Sequence, residues 1–186
     1  MRKLLLLLLA PVLIAAVPSA AVAQTSNTST KTVGVVGTAP AMCFGGTLTG
    51  TGSYDLGVLI DTATGQLRTD LAAPAKLLVG SFCTSRSTIT VQATPLAAQN
   101  SAVTPPSGFS RSIDYVATAS GWTTTPAAYN TASAANSAAT QTRISAFTGD
   151  ITVALSGFAT NGGNSLRLVA DDNYRGLVTV TLAAVN

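Results

Sequence analysis

Few side chains in this 186-residue chain could carry out chemistry. It has no histidine, and all seven of its acids are aspartate, so it has no glutamate either. Histidine titrates nearest neutrality and is the commonest general base and metal ligand. Its absence removes Ser-His-Asp and Cys-His catalysis and the usual His-containing zinc sites. The remaining candidates are two cysteines, Cys43 and Cys83, the aspartates, one tryptophan and a few tyrosines.

Each candidate has a chemical reading and a plainer one. A cysteine pair 40 positions apart in an exported chain reads as a structural disulfide, because a redox pair prefers Cys-x-x-Cys spacing. Asp171-Asp172-Asn173 clusters oxygens that could hold calcium, but a calcium site needs ~6–8 oxygen ligands and no spaced loop supplies them. A polar turn with Asx hydrogen bonding is the expectation, and no metal site is expected. Tyr174 begins a strand, as either a latch onto nearby backbone or an ordinary half-buried aromatic. Trp122 could stack on a sugar ring if exposed and is the one candidate ligand-binding residue, although a core-capping role is favoured. Asp114 and Asp150 would form a glycosidase pair only at a defined gap of ~5–10 Å, and neither lies in a recognisable motif. No enzyme activity and no cofactor are expected.

The elements that must position these residues are strands. Val178, Val180 and Leu182 alternate with Thr179 and Thr181, and Ile89, Val91 and Ala93 alternate with Thr88, Thr90 and Gln92. Ile151, Val153 and Leu155 alternate with Thr152, Ala154 and Ser156, and Leu166 and Leu168 bracket Arg167. Cys83 shares the parity of Ile89 and Val91, which aims its sulfur at the core if that strand runs on. Weaker strand patterns lie at 33–37, 54–60, 75–80 and 111–118, and β-branched residues favour strand over helix throughout. Asn161-Gly162-Gly163-Asn164 reads as a hairpin turn between 151–156 and 166–170. Residues 123–142, rich in Thr, Ala and Ser and containing Pro126, read as a long surface loop. About eight or nine short strands with no convincing helix predict a single all-β domain. A small barrel shares that pattern, but the long inter-cysteine spacing favours a sandwich.

The ends set compartment and charge. Arg2 and Lys3, an apolar run from Leu4 to Val17 and the small residues Ala21-Val22-Ala23 have the layout of a secretory signal peptide, residues 1–23. The run is short of the ~20 residues that span a bilayer, so no membrane span is expected after cleavage. Residues 24–32 are a polar, flexible leader, and 33–186 form the domain. Removing Arg2 and Lys3 leaves 10 − 2 = 8 Lys+Arg against 7 acids, a net of +1. That gives no electrostatic footprint for nucleic acid. The expected location is periplasm, cell surface or outside the cell.

Val33-Gly34-Val35-Val36-Gly37 leads to Cys43, Tyr54-Asp55-Leu56-Gly57 and Gly80-Ser81-Phe82-Cys83-Thr84, and the chain closes on Tyr174-Arg175-Gly176 and an alternating strand. This pattern, over 33–93 and 172–183, resembles chaperone–usher pilin subunits and the spore-coat-U-like secreted bacterial surface proteins. The resemblance implies an incomplete immunoglobulin-like sandwich with Cys43–Cys83 linking its first two strands and a neighbouring subunit's strand filling the gap. It also implies other surface or pilus subunits and a periplasmic chaperone as partners. Two features depart from the pattern: the chain ends Ala184-Val185-Asn186 without an aromatic, and residues 24–32 have no apolar alternation. The function expected is a non-catalytic structural or adhesive surface protein. The alternative is a monomeric, carbohydrate-binding module using the 96–142 region.

Exported protein is expected to begin at Gln24, which intact mass of secreted material checks. A species retaining Met1 to Ala23 in the membrane fraction overturns it.

Overall fold

A computed structural model describes residues 28–100 and 104–185. The signal peptide expected over residues 1–23 lies outside the described residues. By backbone contacts the chain divides into Met1–Gly37 and Thr38–Asn186. In the first unit, residues 28–37 join no sheet and are exposed. The strand expected over 33–37 is therefore not formed. Two glycines in five residues, with no pairing partner, leave that valine pattern without a ladder to fix it.

The second unit is nearly all β, with two facing antiparallel sheets in a sandwich-like arrangement. Its strands are β1 (Cys43–Phe44), β2 (Thr47–Leu48), β3 (Lys76–Cys83), β4 (Ser87–Ala93), β5 (Leu96–Ala98), β6 (Phe109–Ser110) and β7 (Ser112–Ser120). They continue with β8 (Ala127–Asn130), β9 (Thr140–Arg143), β10 (Phe147–Thr160), β11 (Arg167–Leu168), β12 (Tyr174–Arg175) and β13 (Val178–Ala184). Five of these thirteen are two-residue pieces, leaving 13 − 5 = 8 strands of three residues or more, in keeping with the eight or nine expected. Among the described residues no helix is long and apolar enough to cross a membrane.

The larger sheet runs β1-β3-β10-β7-β5-β12, with β2 extending the edge at β3 and β8 the edge at β7. The smaller sheet is β13-β4-β9. The chain passes from one to the other between Cys83 and Ser87, so the strand does not run on as its parity suggested, although Cys83 is buried all the same. Inward positions follow the alternation read from sequence: Ile89 and Val91 from β4 face Ile151 and Val153 from β10 and Tyr115, Ala117 and Ala119 from β7. Burying a side chain of Ile or Val size contributes about 1.5–3 kcal/mol.

Cys43 and Cys83 are directly opposed in the β1–β3 ladder and bonded to each other, with Cα atoms 4.1 Å apart. β1 and β2 are two pieces of one edge, broken at Gly45-Gly46. Gly46 has φ +76°, and a Cβ there would lie 2.5 Å from Ser81 Oγ and 2.8 Å from the Val79 carbonyl oxygen. Only glycine lets the turn sit that close to β3.

Three local expectations are corrected. Residues 54–60 form no strand beyond a single bridge from Ile60 to Leu67. The 161–164 turn does not close a hairpin: β11 pairs in parallel with β6 rather than folding back on β10. Residues 123–142 are not a bare loop but contain β8, a 3₁₀ turn at Ser137–Ala139 and most of β9.

Replacing Cys43 and Cys83 together by serine should cost about 3–4 kcal/mol by loop entropy. At this size that lowers the Tm by roughly 10 °C. Calorimetry of oxidised, reduced and doubly substituted protein checks it, and two reactive thiols in native protein would contradict the bond.

Candidate functional site

The smaller sheet has three strands against eight in the larger, so the inner face of the larger sheet is incompletely covered. The gap runs along β13. Among the described residues β13 pairs with β4 alone, and its sequence, VTVTLAA, carries neither charge nor proline. Val178, Val180 and Leu182 point inward yet remain only half-buried. Charges and prolines are the usual protection of a sheet edge. β13 has neither.

Three openings follow this edge. One of about 140 Å³ lies between Leu48 and Leu78 on one side and Val178 and Val180 on the other. A second, about 500 Å³, is floored by Tyr115 and Leu155. The third, about 670 Å³, reaches Leu56, Ile60 and Leu168. Tyr54 borders all three. Together they form a trough between the segment after β2 and the start of β13, apolar beside Val178 and Val180 and bordered by the charged Asp55, Lys76, Asp171, Asp172 and Arg175.

Three phenols border this trough, each donating to a backbone carbonyl. The Tyr54 hydroxyl reaches the Val153 carbonyl at 2.7 Å, Tyr115 reaches Leu177 at 3.3 Å, and Tyr174 reaches Val169 at 2.9 Å. Burial pushes the Tyr115 phenol up to about 12. Burial likewise raises Tyr54, against a smaller lowering from the Lys76 backbone, and raises Tyr174, assisted by Asp171 and opposed by Arg111. These hydroxyls therefore stay protonated at neutral pH and act as fixed donors. Lys76 Nζ stands 5.7 Å from the Tyr54 ring centroid and donates to Thr51 Oγ1 at 3.2 Å.

The residues singled out by sequence fall in different places. Tyr174 forms the latch to backbone five residues upstream, resolving the two readings left open for it. Asp171 accepts from the Asn173 amide at 2.8 Å, the expected Asx turn, and from the Asn100 amide at 2.8 Å. Asn100 Nδ2 ties Asp171 to Asp172 at 3.1 and 2.6 Å.

Asp114 and Asp150 are not a pair. Asp114 lies opposite Ala159, nine positions along β10 from Asp150. At ~3.3 Å per residue that is roughly 25–30 Å. Asp114 is buried and holds Thr131 Oγ1 at 2.9 Å and Asn161 Nδ2 at 2.8 Å. Asp150 accepts the Gly80 amide at 2.9 Å where the β3–β10 register shifts.

Trp122 is corrected as a ligand candidate, because it is 0% exposed. Its indole meets Phe147 edge-on at 5.2 Å and donates to Ser87 Oγ at 3.3 Å. Arg143 covers the cluster, its guanidinium 3.5 Å from the Phe147 ring centroid and its Nη1 2.7 Å from the Trp122 carbonyl oxygen. No family model, curated protein or solved structure matches the chain.

Sequence reasoning passed over Tyr54 and Tyr115 as lining residues. The available signal was a lone aromatic in the glycine-flanked run Gly52-Ser53-Tyr54-Asp55-Leu56-Gly57, too glycine-rich for a strand interior.

Trp122→Ala should cost about 3–5 kcal/mol, as for other large aromatics removed from a core. Denaturant unfolding measures it. A near-neutral effect on stability would contradict the packing role.

Proposed function

We propose that this protein is a non-catalytic structural subunit of an exported surface assembly, pilin-like in architecture, in which each copy accepts an extended segment from another beside β13. The observation that carries the reading is the uncovered β13 edge with its half-buried row of Val178, Val180 and Leu182. A strand added at such an edge gains main-chain hydrogen bonds and buries alternate apolar side chains. Among the described residues one segment is suited to be that strand: Val33 is 84% and Val35 97% exposed, two positions apart, and neither joins a sheet.

Residues 24–32 do not serve. They offer Gln, Thr, Ser, Asn and Lys, and each polar side chain placed in an apolar trough without a partner costs free energy. The donor begins at Val33. A non-catalytic role accords with a chain lacking His and Glu. The alternative carbohydrate-binding module loses its aromatic platform, since Trp122 is buried.

Three chains test this, starting at Gln24, Thr32 and Thr38. The first two should form the same denaturant-resistant multimers by size-exclusion chromatography with light scattering. The third should fold with similar stability and stay monomeric, and Val35→Asp in the longest chain should also prevent multimers. Monomers from all three chains, or multimers from the chain starting at Thr38, overturn the proposal.

A further inference from the structure

Between Thr49 and Leu59 the chain forms a strap that belongs to no sheet. It is tied at one end by the Thr49 amide to the Leu77 carbonyl at 2.9 Å and at the other by the Arg68 amide to the Leu59 carbonyl at 3.0 Å. Between these ties its bonds are to side chains or to itself. Gly57 takes Asp55 Oδ1 at 2.9 Å, Thr51 bonds Ser53, and Lys76 Nζ reaches Thr51. The deepest attachment is Tyr54, whose ring packs against the core and whose hydroxyl reaches across to the Val153 carbonyl at 2.7 Å.

Tyr54 borders the openings beside Leu78, beside Leu155 and beside Leu168 alike. It is the one lining residue shared by all three, with Leu48 and Val180 lining one opening and Tyr115 and Leu155 another. An extended segment lying along β13 from Val180 to Leu177 must pass it. A single aromatic on a strap that joins no sheet is held by one hydrogen bond, by Lys76 over its ring and by partial burial. It can therefore leave without disturbing the β3–β10–β7 ladder.

We infer that Tyr54 and its strap are an internal gate on strand uptake: the ring stands in the trough of an empty subunit and is displaced when an incoming segment arrives. The inference rests on the strand-uptake reading above and adds its regulation. The gate conceals apolar surface on an unassembled copy, and it lowers apparent affinity by the fraction of copies that are closed. A segment too short or too polar to displace the ring gains no entry, so the gate also selects the occupant.

The test uses a fluorescein-labelled peptide of Lys31 to Pro40 and the exported chain carrying Val35→Asp, which leaves the trough empty, with Tyr54 as in the wild type, Tyr54→Phe or Tyr54→Ala, and association is followed by anisotropy. A peptide with Val33 and Val35 replaced by Asp is the control. Tyr54→Ala should take up the peptide about tenfold faster than wild type, the population penalty of a mostly closed gate having been removed. Tyr54→Phe keeps the ring, loses only the bond to the Val153 carbonyl, and should be about threefold faster, in line with one modest hydrogen bond. If Tyr54→Ala does not fold, Tyr54→Phe alone decides.

Equal rates in all folded proteins overturn the gate and leave strand uptake standing. Slower uptake by the variants also overturns it, making Tyr54 part of the binding surface. Binding by none of them, or equal binding of the control peptide, removes the uptake reading and the gate with it.

Discussion

The structure depends on β10 being paired along both edges. Of its fourteen residues, Phe147–Thr160, the first part to Val153 takes β3 on one side and the part from Thr152 takes β7 on the other. Its inward Ile151 and Val153 then sit at the centre of the core, with Ile89 and Val91 of the smaller sheet closing over them. Most of the larger sheet attaches to the strands flanking this ladder, β1 and β2 to β3 and β5 and β8 to β7, with β12 added beyond β5. Where the ladder slips, between Gly149 and Ile151, Asp150 caps the Gly80 amide that the slip would leave unpaired. Buried backbone donors must be satisfied somewhere, and here one carboxylate closes the account.

The trough follows from the same asymmetry. A broad sheet built around β10 presents more apolar inner face than β13, β4 and β9 can cover. What remains is shared among Leu78, Leu155, Tyr115 and the inner row of β13, with charged side chains confined to the Asp55, Lys76, Asp171, Asp172 and Arg175 positions around it. Fixed phenolic donors spend their hydrogen bonds on backbone carbonyls, which holds the trough walls in place.

The alternation over 88–93, 151–156 and 178–182 was legible because these strands bury one face and expose the other, so period two is written in their residue types. Residues 127–130 and 140–143 were not legible for the opposite reason. Ala-Ala-Tyr-Asn and Thr-Gln-Thr-Arg are edge pieces whose order comes from the neighbouring β7 and β4 ladders, not from hydrophobic pattern of their own. The Asn161–Asn164 turn carried a sound hairpin signal, but Arg167 and Leu168 after it pair with Phe109 and Ser110 rather than folding back on β10. Cys43 and Cys83 were legible as a pair from count and compartment alone. The trough was invisible in sequence because it is a missing neighbour, and β13 reads the same whether one edge or two are paired.

The disulfide has a mechanical meaning. Any pull applied to residues ahead of Cys43 and resisted at the C-terminus enters the domain at Cys43, crosses to Cys83 through a covalent bond, and continues along the chain from there. The two-residue β1 ladder is never asked to bear load. Residues 44–82, including the strap and Tyr54, lie inside the closed loop and stay slack under tension. Stretching such a molecule to full extension yields about 130–140 Å less chain than its residue count implies, at ~3.3–3.6 Å for each of the shielded residues. A domain tethered through its N-terminal segment can thus be strained, even partly unravelled at its C-terminal strands, without tension reaching the elements that shape one wall of its trough.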